Sequence, residues 1–290
     1  MNTLRSALAL AGALLAAGCA NFEAVNQTAG ELVSASDAWS VLAKDFKGSC
    51  ERRNLLVATA RDVSDCAQER RATDSLAATD KVLAAYFLAL QQASTTSNFS
   101  VDPGLASVAT VAEGLPGVQS GQVDAVTGLA SYLAGLVTRG VEERTVKRLV
   151  ADGAPRAEAV LDVLIAAVVP ELENQYRGER RQTLAAFTSY AQQSGTVLSV
   201  SDDACAAPAV RDFPTGVGYL LGQAYCTRIV SLQTKQAALA SYKDSLMSAR
   251  QTLVELQHGA DDLTAKELAK QLGHDASGLK NDIQALKQTF

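Results

Sequence analysis

Cysteine is the residue type whose number and spacing offer the clearest chemistry in this chain. The 290 residues include five cysteines and only two histidines. Cys50, Cys66, Cys205 and Cys226 form an even set, and in an exported protein an even number of cysteines predicts disulfides. Closeness in sequence favours the pairs Cys50–Cys66 and Cys205–Cys226, which are 16 and 21 positions apart (66 − 50 and 226 − 205). Four cysteines allow three pairings, and the sequence alone does not choose among them.

Two other uses of the same cysteines are a zinc site and a catalytic thiolate. Structural zinc sites usually take paired short spacings such as C-x-x-C, which neither pair has. A catalytic cysteine needs a histidine partner, and His258 and His274 lie in a stretch with a helical pattern. We therefore expect two structural disulfides, and we expect neither a metal ion nor a cofactor.

Cys19 is set apart from the other cysteines by the residues that precede it. Arg5 is followed by an apolar run from Ala7 to Ala17, and the run ends in Gly18 and Cys19. Such a run is too short for a permanent membrane span but fits the core of a signal peptide. An ordinary secretory signal that happens to contain a cysteine is the alternative.

The segment Leu15-Ala-Ala-Gly-Cys19 resembles the bacterial lipoprotein signal, in which small residues precede an invariant cysteine. The resemblance covers only the start of the chain, and Ala16 stands where the class usually has leucine. It implies that residues 1–18 are a removed signal peptide and that lipid is attached to Cys19. Because Ala20 rather than aspartate follows, it also implies export to the outer membrane. The periplasmic face is expected there, and exposure on the cell surface is the alternative. Two or more acyl chains make such an anchor stable.

Composition excludes several functional classes. Hydrophobic residues make up 48%, charged residues 20% and aromatic residues 5% of the chain, which favours a folded helical protein over a β-barrel or β-sandwich. The net charge of −5 gives no electrostatic footprint for nucleic acid. Phosphate-loop, G-x-S-x-G and H-E-x-x-H motifs are absent. We therefore expect a protein that is not an enzyme, with no catalytic residues to assign.

The first half of the chain carries apolar residues at steps of three and four, which predicts two helices. The first should run from about Phe22 to Phe46 and end at Gly48. The second should run from about Ala67 to Ala93, with an apolar side of Leu76, Leu83, Tyr86, Phe87 and Leu90.

The turn-rich stretch 94–104 then gives the best internal boundary. It divides an N-terminal helical region, 19–100, from a helical bundle over 101–290. The alternative is that both regions form one domain.

The middle of the chain is apolar and rich in small residues. Thirteen uncharged residues from Ala125 to Val137 are too few to span a bilayer, which favours a buried helix over membrane insertion. Gly128, Ser131 and Gly135 are expected to allow close packing.

The next helical pattern contains two prolines. Pro155 should open a helix, and Pro170 should kink or restart it. Asp162 is expected to face outward. The run Arg177–Arg181 is expected to be a solvated face, with a docking patch as the alternative, and the helix should end near Gly195.

The last quarter of the chain shows leucines at intervals of seven. Leu232, Leu239, Leu246 and Leu253 mark a long helix that His258-Gly259 should stop, and Leu272, Leu279 and Leu286 mark another after a capping box at Thr264–Glu267. A short connection favours an antiparallel hairpin within the chain over a zipper dimer. The predicted fold is therefore all-α: an elongated bundle of long helices with a C-terminal antiparallel helical hairpin.

These patterns favour a structural or adaptor role in the bacterial cell envelope, carried out through protein–protein contacts. The expected partners are the membrane, through the lipid anchor, and an envelope or secreted protein that the sequence does not identify. The alternative is a periplasmic immunity or inhibitor lipoprotein that neutralises a toxin or hydrolase. Nucleic acid is not expected as a partner.

Overall fold

The computed structural model describes residues 25–36, 39–57, 63–95, 105, 112–115, 117–118, 120–137, 145–196, 205 and 216–262. Within these ranges the regular structure is helical and no strand is present, which confirms the predicted all-α class. Cys19, most of the predicted boundary at 94–104, and the hairpin's second helix, over 264–290, lie outside the described residues.

Eight helices are named here in chain order. Helix α1 comprises the helical residues 25–36 and 39–43. The others are α2 (Asp45–Asn54), α3 (Ala67–Thr95), α4 (Ser120–Val137), α5 (Thr145–Arg148), α6 (Ala154–Val163), α7 (Val169–Gln193) and α8 (Val217–Asp262), with a 3-10 turn at Ala112–Gly114.

Two π-helical turns, Leu149–Gly153 and Leu164–Val168, join α5, α6 and α7 into one composite helix over 145–193. At 1.5 Å per residue, α8 with its 46 residues is about 69 Å long. Helices of this length make the bundle elongated, as the sequence predicts.

The long helices alternate in direction, as three sets of contacts show. The backbone N–H of Lys47 bonds the Thr73 hydroxyl and Arg53 pairs with Glu69, so α2 and α3 are antiparallel. Trp39 bonds Ser245 while Asp45 bonds Lys235, so α8 runs antiparallel to α1 and α2. Contacts of α2 with successive turns of α7, through Tyr176, Glu179 and Gln182, make those two helices parallel. The result is an up-down-up-down bundle with α4 packed mainly on α6.

One hydrophobic cluster runs through most of the bundle and includes residues from both predicted regions. Its largest fully buried side chains include Trp39, Tyr86, Phe87 and Tyr242. Burying a side chain of this size stabilises the fold by about 1.5–3 kcal/mol. A smaller cluster of Leu56, Phe187, Tyr225 and Ile229 lies where α2 and α7 end and α8 begins.

The predicted end of the first helix at Gly48 is wrong. Helix α2 continues through Gly48 to Asn54. A Cβ at this glycine would lie 3.0 Å from Nη1 of Arg52 and 3.1 Å from Oδ1 of Asp45. The glycine therefore stays in the helix because it leaves room for an ion pair, at a cost of about 0.5–1 kcal/mol in helix propensity.

The predicted stop at His258-Gly259 is also wrong, since α8 runs on to Asp262. Pro170 does not restart the helix, because the π turn before it carries the composite helix through. The predicted end near Gly195 is confirmed: α7 ends at Gln193, and Gly195 has a φ of 68°.

Helix α4 buries Val126, Leu129 and Leu133, as expected of a bundle helix. Its glycines are not the sites of close packing, because a Cβ at Gly128 or Gly135 would meet nothing within 4 Å. The tight approach is instead at Gly153 in the first π turn. There a Cβ would lie 2.7 Å from Cε2 of Tyr86 and 3.0 Å from Cε1 of Tyr132.

The leucines of the α8 seam, at 232, 239, 246 and 253, are all buried in the main cluster. Helix α8 packs extensively against α6 and α7. Within the described residues, the seam therefore packs into the centre of the bundle.

Candidate functional site

The four cysteines form the two disulfides favoured by their spacing, Cys50–Cys66 and Cys205–Cys226. The first joins the end of α2 to the residue before α3. The second ties Cys205 to the early part of α8. Both therefore lie at the same end of the bundle, where α2 and α7 end and α3 and α8 begin. We call this the disulfide end.

Cys50, Cys66 and Glu69 have donor atoms within 4.8 Å of one another, the spacing of a metal site, and they form the one such group among the described residues. The two sulfurs are bonded to each other, so neither is a thiolate that could bind a metal ion. Glu69 accepts a hydrogen bond from Arg53 at 2.8 Å. This chemistry assigns the group to a disulfide and an ion pair.

A cluster of two buried carboxylates and two partly buried cations lies beside this disulfide and joins α2, α7 and α8. Nη1 of Arg52 lies 2.8 Å from Oδ1 of Asp45, and its Nε lies 2.7 Å from Oε1 of Glu179. Nζ of Lys235 also lies 2.9 Å from Oδ1 of Asp45. Two carboxylates and two cations balance, as burial requires. We call these four residues the charge cluster.

Hydroxyl donors complete the cluster. Tyr176 donates to Oδ2 of Asp45 at 2.7 Å, and Ser49 donates to Oε2 of Glu179 at 2.9 Å. Burial acts to raise the pKa of Asp45, but the bonds and charge of Arg52, followed by Lys235 and Tyr176, outweigh it and lower the pKa. Burial, followed by the charge of Asp45, raises the pKa of Tyr176.

The charge cluster is built to hold helices together. Its carboxylates accept their hydrogen bonds from side chains within the bundle, so their oxygens are already occupied by the protein itself. Breaking a buried pair by removing one partner costs about 3–5 kcal/mol. The arrangement fixes the register of α2 against α7 and α8 at the disulfide end.

A second polar group lies in the middle of the core and lacks this balance. Asp80 on α3 is 2% exposed, and neither of its carboxyl oxygens has a hydrogen-bond partner. The hydroxyl of Tyr242 on α8 is also buried without a partner. Nearby, the indole of Trp39 packs edge-on against Tyr242 and donates to Ser245 at 2.8 Å.

Burial raises the pKa of Asp80 well above its usual range. Burial, followed by the charge of Asp80, raises the pKa of Tyr242 well above its usual range. A carboxyl group in this setting is held in its neutral form, because an unpaired buried charge is far more costly than a neutral acid. Asp80 is therefore a proton-binding group within the core and not one member of an ion pair.

Exposed apolar side chains concentrate at the disulfide end. Of eight large hydrophobic residues exposed within the described ranges, six lie there: Leu55, Val63, Leu184, Val217, Leu220 and Val230. Leu55 and Val230 are next in sequence to Leu56 and Ile229 of the smaller hydrophobic cluster. Leu220 is next to Leu221, which packs on that cluster. Clustering of this kind marks an interaction surface more often than single exposed residues do.

Sequence reasoning placed the four disulfide cysteines correctly and missed the buried acids. The run Arg177–Arg181 was expected to be solvated, yet Glu179 within it points inward and is 2% exposed. Asp162 does face outward and pairs with Arg250 at 2.6 Å. The signal for Glu179 was its place in the series Leu172, Tyr176, Thr183 and Phe187, which form the buried face of α7.

Among the described residues, no helix is both long and apolar enough to cross a membrane. No family model, no curated protein and no solved structure matches the chain.

Proposed function

We propose that this protein is a lipid-anchored component of the bacterial cell envelope, held to the outer membrane through Cys19 and facing the periplasm. Its helical bundle acts as a structural or adaptor element that contacts another envelope protein. The proposal takes its anchor from the lipoprotein-like segment that ends at Cys19. Its mode of action comes from the shape of the bundle.

The position of the disulfide end is the observation that carries the proposal. Val25, the first described residue of α1, follows Cys19 by six positions and lies at the end of the bundle opposite to the disulfides. An anchor at Cys19 would therefore hold that opposite end at the membrane. The described helical residues between Val25 and Asn54 amount to a rise of about 40 Å. The disulfides, the charge cluster and most exposed apolar residues would then lie far from the membrane surface.

The disulfides support the export that this role requires. Disulfides persist in oxidising compartments such as the bacterial periplasm and are rare in the cytosol. Each closes a loop whose cross-linking contributes about 3 kcal/mol on the chain-entropy account. They would thus reinforce the end of the bundle that meets a partner in the periplasm.

Replacement of the lipidated residue tests the anchor. We expect Cys19→Ser to abolish labelling by radioactive palmitate and to leave the protein soluble or unprocessed. Ala20→Ser is the matched control, because it changes the neighbouring residue and keeps the cysteine, so labelling and membrane fractionation should persist. If Cys19→Ser still fractionates with the outer membrane, the anchor is not at this cysteine.

The residue after the cysteine tests the choice of membrane. In the lipoprotein class that the signal resembles, aspartate at this position opposes outer-membrane export. We expect Ala20→Asp to keep its palmitate label and to move to the inner-membrane fraction on a density gradient. An unchanged outer-membrane position would contradict the proposed sorting.

A further inference from the structure

We propose that Asp80 makes the packing in the middle of the bundle a pH-sensitive switch. Helices α1, α3 and α8 stay closed around its neutral carboxyl group and open locally when that group loses its proton. The switch consists of Asp80, Tyr242 and Trp39, which we call the Asp80 site. It belongs to the bundle itself and does not depend on the proposed envelope role.

The Asp80 site takes one residue from each of three long helices. Asp80 on α3 is 2% exposed, and Tyr242 on α8 and Trp39 on α1 are fully buried. The ring of Trp39 packs edge-on against Tyr242, with 6.0 Å between centroids, and against Phe87 on α3, with 6.5 Å. Because Trp39 contacts both α3 and α8, a separation of these helices must change its surroundings.

The polar groups of the site lack hydrogen bonds in the closed bundle. Both carboxyl oxygens of Asp80 and the hydroxyl of Tyr242 are buried without a partner. The adjacent hydroxyl of Thr79, by contrast, donates to the backbone carbonyl of Ser75 at 2.9 Å. Unpaired polar groups of this kind are rare in native cores, and each one calls for an explanation.

No charge in the described part of the chain compensates an ionised Asp80. Burial raises the pKa of this carboxyl group, and neither a cation nor a second acid contributes to it. The charged neighbours in sequence, Lys81 on α3 and Lys243 and Asp244 on α8, are exposed. On α8 the titratable group that the charge of Asp80 reaches is Tyr242. Ionisation would create an isolated buried charge, so it requires water to enter and the helices to move.

The disulfide end restricts how far this movement spreads. Cys50–Cys66 links α2 to the residue before α3, and Cys205–Cys226 ties Cys205 to the early part of α8. The charge cluster keeps its ion pairs, because the lowered pKa of Asp45 holds that carboxyl group ionised when Asp80 titrates. Asp80 lies 13 positions (80 − 67) after the start of α3, a rise of about 20 Å. The helices can therefore separate at the Asp80 site while the disulfide end stays assembled.

Fluorescence of Trp39 tests the switch. Trp39 is the one tryptophan of the chain, so its quenching by acrylamide reports on the Asp80 site alone. We expect the quenching constant of the purified protein to increase severalfold between pH 5 and pH 9, with an unchanged helical circular dichroism spectrum. While the closed form keeps its proton, the open population should rise about tenfold per pH unit, because opening releases one proton.

Three variants identify the group that titrates. Asp80→Asn keeps the shape of the side chain without its proton equilibrium, so its quenching constant should not change with pH. Asp74→Asn, at an exposed position of the same helix, is the matched control and should open as the wild type does. Tyr242→Phe removes the unpaired hydroxyl and stabilises the closed form, so it should move the midpoint of opening up by about one pH unit. This last variant keeps the test decisive if Asp80→Asn does not fold.

Four results would overturn the proposal. They are a quenching constant of the wild type that does not change with pH, the same pH dependence in Asp80→Asn, and a midpoint that Tyr242→Phe leaves in place. The fourth is a loss of helical circular dichroism in step with the change in quenching, which would mean that the whole protein unfolds and that no local opening occurs.

Discussion

Asp80 provides the sharpest test of how this core is held together, because its carboxyl group is buried without a hydrogen bond. Its charge acts on Tyr242, whose hydroxyl is also buried without a partner. The perturbation is Asp80→Asn, which keeps the size and shape of the side chain and removes its proton equilibrium. The prediction concerns how the free energy of unfolding depends on pH.

The magnitude follows from proton binding in the two states. In the unfolded chain the pKa of an aspartate is about 3.9, while in the folded protein burial raises the pKa of Asp80 well above that value. The stability that the neutral Asp80 carboxyl group contributes is fully present below pH about 4, where both the folded and the unfolded state bind the proton. As the pH rises from there to the folded pKa, only the unfolded state releases the proton. The free energy of unfolding should therefore fall by about 1.4 kcal/mol per pH unit from this residue.

The assay is urea unfolding of wild type and Asp80→Asn at a series of pH values from 4 to 8. Other titrating groups are common to both proteins and cancel in the difference. The free energies of unfolding of the two proteins should be similar at pH 4. As the pH rises, that of the variant should increase relative to that of the wild type. Asp74→Asn is the matched control on the same helix, because Asp74 is exposed and its replacement should change stability by less than about 0.5 kcal/mol.

If the free energies of unfolding of wild type and Asp80→Asn differ by the same amount at every pH, the reasoning is refuted. That result would mean that the carboxyl group has the same pKa in the folded and unfolded states, and hence that it is hydrated or paired in solution. A difference that grows as the pH falls would mean that the folded protein holds the ionised form.

Three further predictions concern the bundle's packing and covalent links. Glu179→Gln should lower the free energy of unfolding by about 3 kcal/mol, at the low end of the cost of breaking a buried pair, because Arg52 keeps its other carboxylate partner, Asp45. Glu173→Gln, on the exposed face of the same helix, should change the free energy of unfolding little. Equal effects of the two substitutions would mean that the charge cluster does not stabilise the bundle. Gly153→Ala should destabilise the protein, because the added methyl group meets two tyrosine rings. Gly178→Ala should stabilise it by up to about 1 kcal/mol, because the methyl group there meets open space. The melting temperatures of the two variants check both predictions. Non-reducing peptide mapping of the purified protein should find Cys50–Cys66 and Cys205–Cys226 and no free thiol among these four cysteines. Stoichiometric zinc would contradict this.

The apolar faces of the helices could be predicted because burial leaves a local periodic signal. On α3, Leu76, Leu83 and Phe87 recur at helical spacing, and all are buried. The buried acids could not be predicted in the same way. A charged residue on a helix usually faces water, and what turns Glu179 inward is a guanidinium from a segment 127 positions away. That information is not local, although an acid within an apolar series is a signal that could be used.

Of the three glycines that were expected to end a helix, only Gly195 does so, and it has a backbone conformation that other residues avoid. Gly195 and Gly216 have positive φ angles and lie just beyond α7 and just before α8. Gly48 and Gly259 were expected to act in the same way, yet both lie inside helices. A glycine in the sequence is compatible with a C-cap or with close packing inside a helix. Only the tertiary contacts of the residue decide which of the two occurs.

The two prolines of the composite helix show how a locally unfavourable residue is accommodated without a break. Proline clashes with the carbonyl group four residues before it. For Pro155 and Pro170 those carbonyls belong to Ala151 and Ala166, which are the central residues of the two π turns.

In each turn the hydrogen bond reaches five residues back, as when the N–H of Val169 bonds the carbonyl of Leu164. This wider turn accommodates the ring and lets the helix continue along the bundle. Isolated π turns often mark functional sites. Here the two prolines account for them, so the π turns by themselves do not indicate a site.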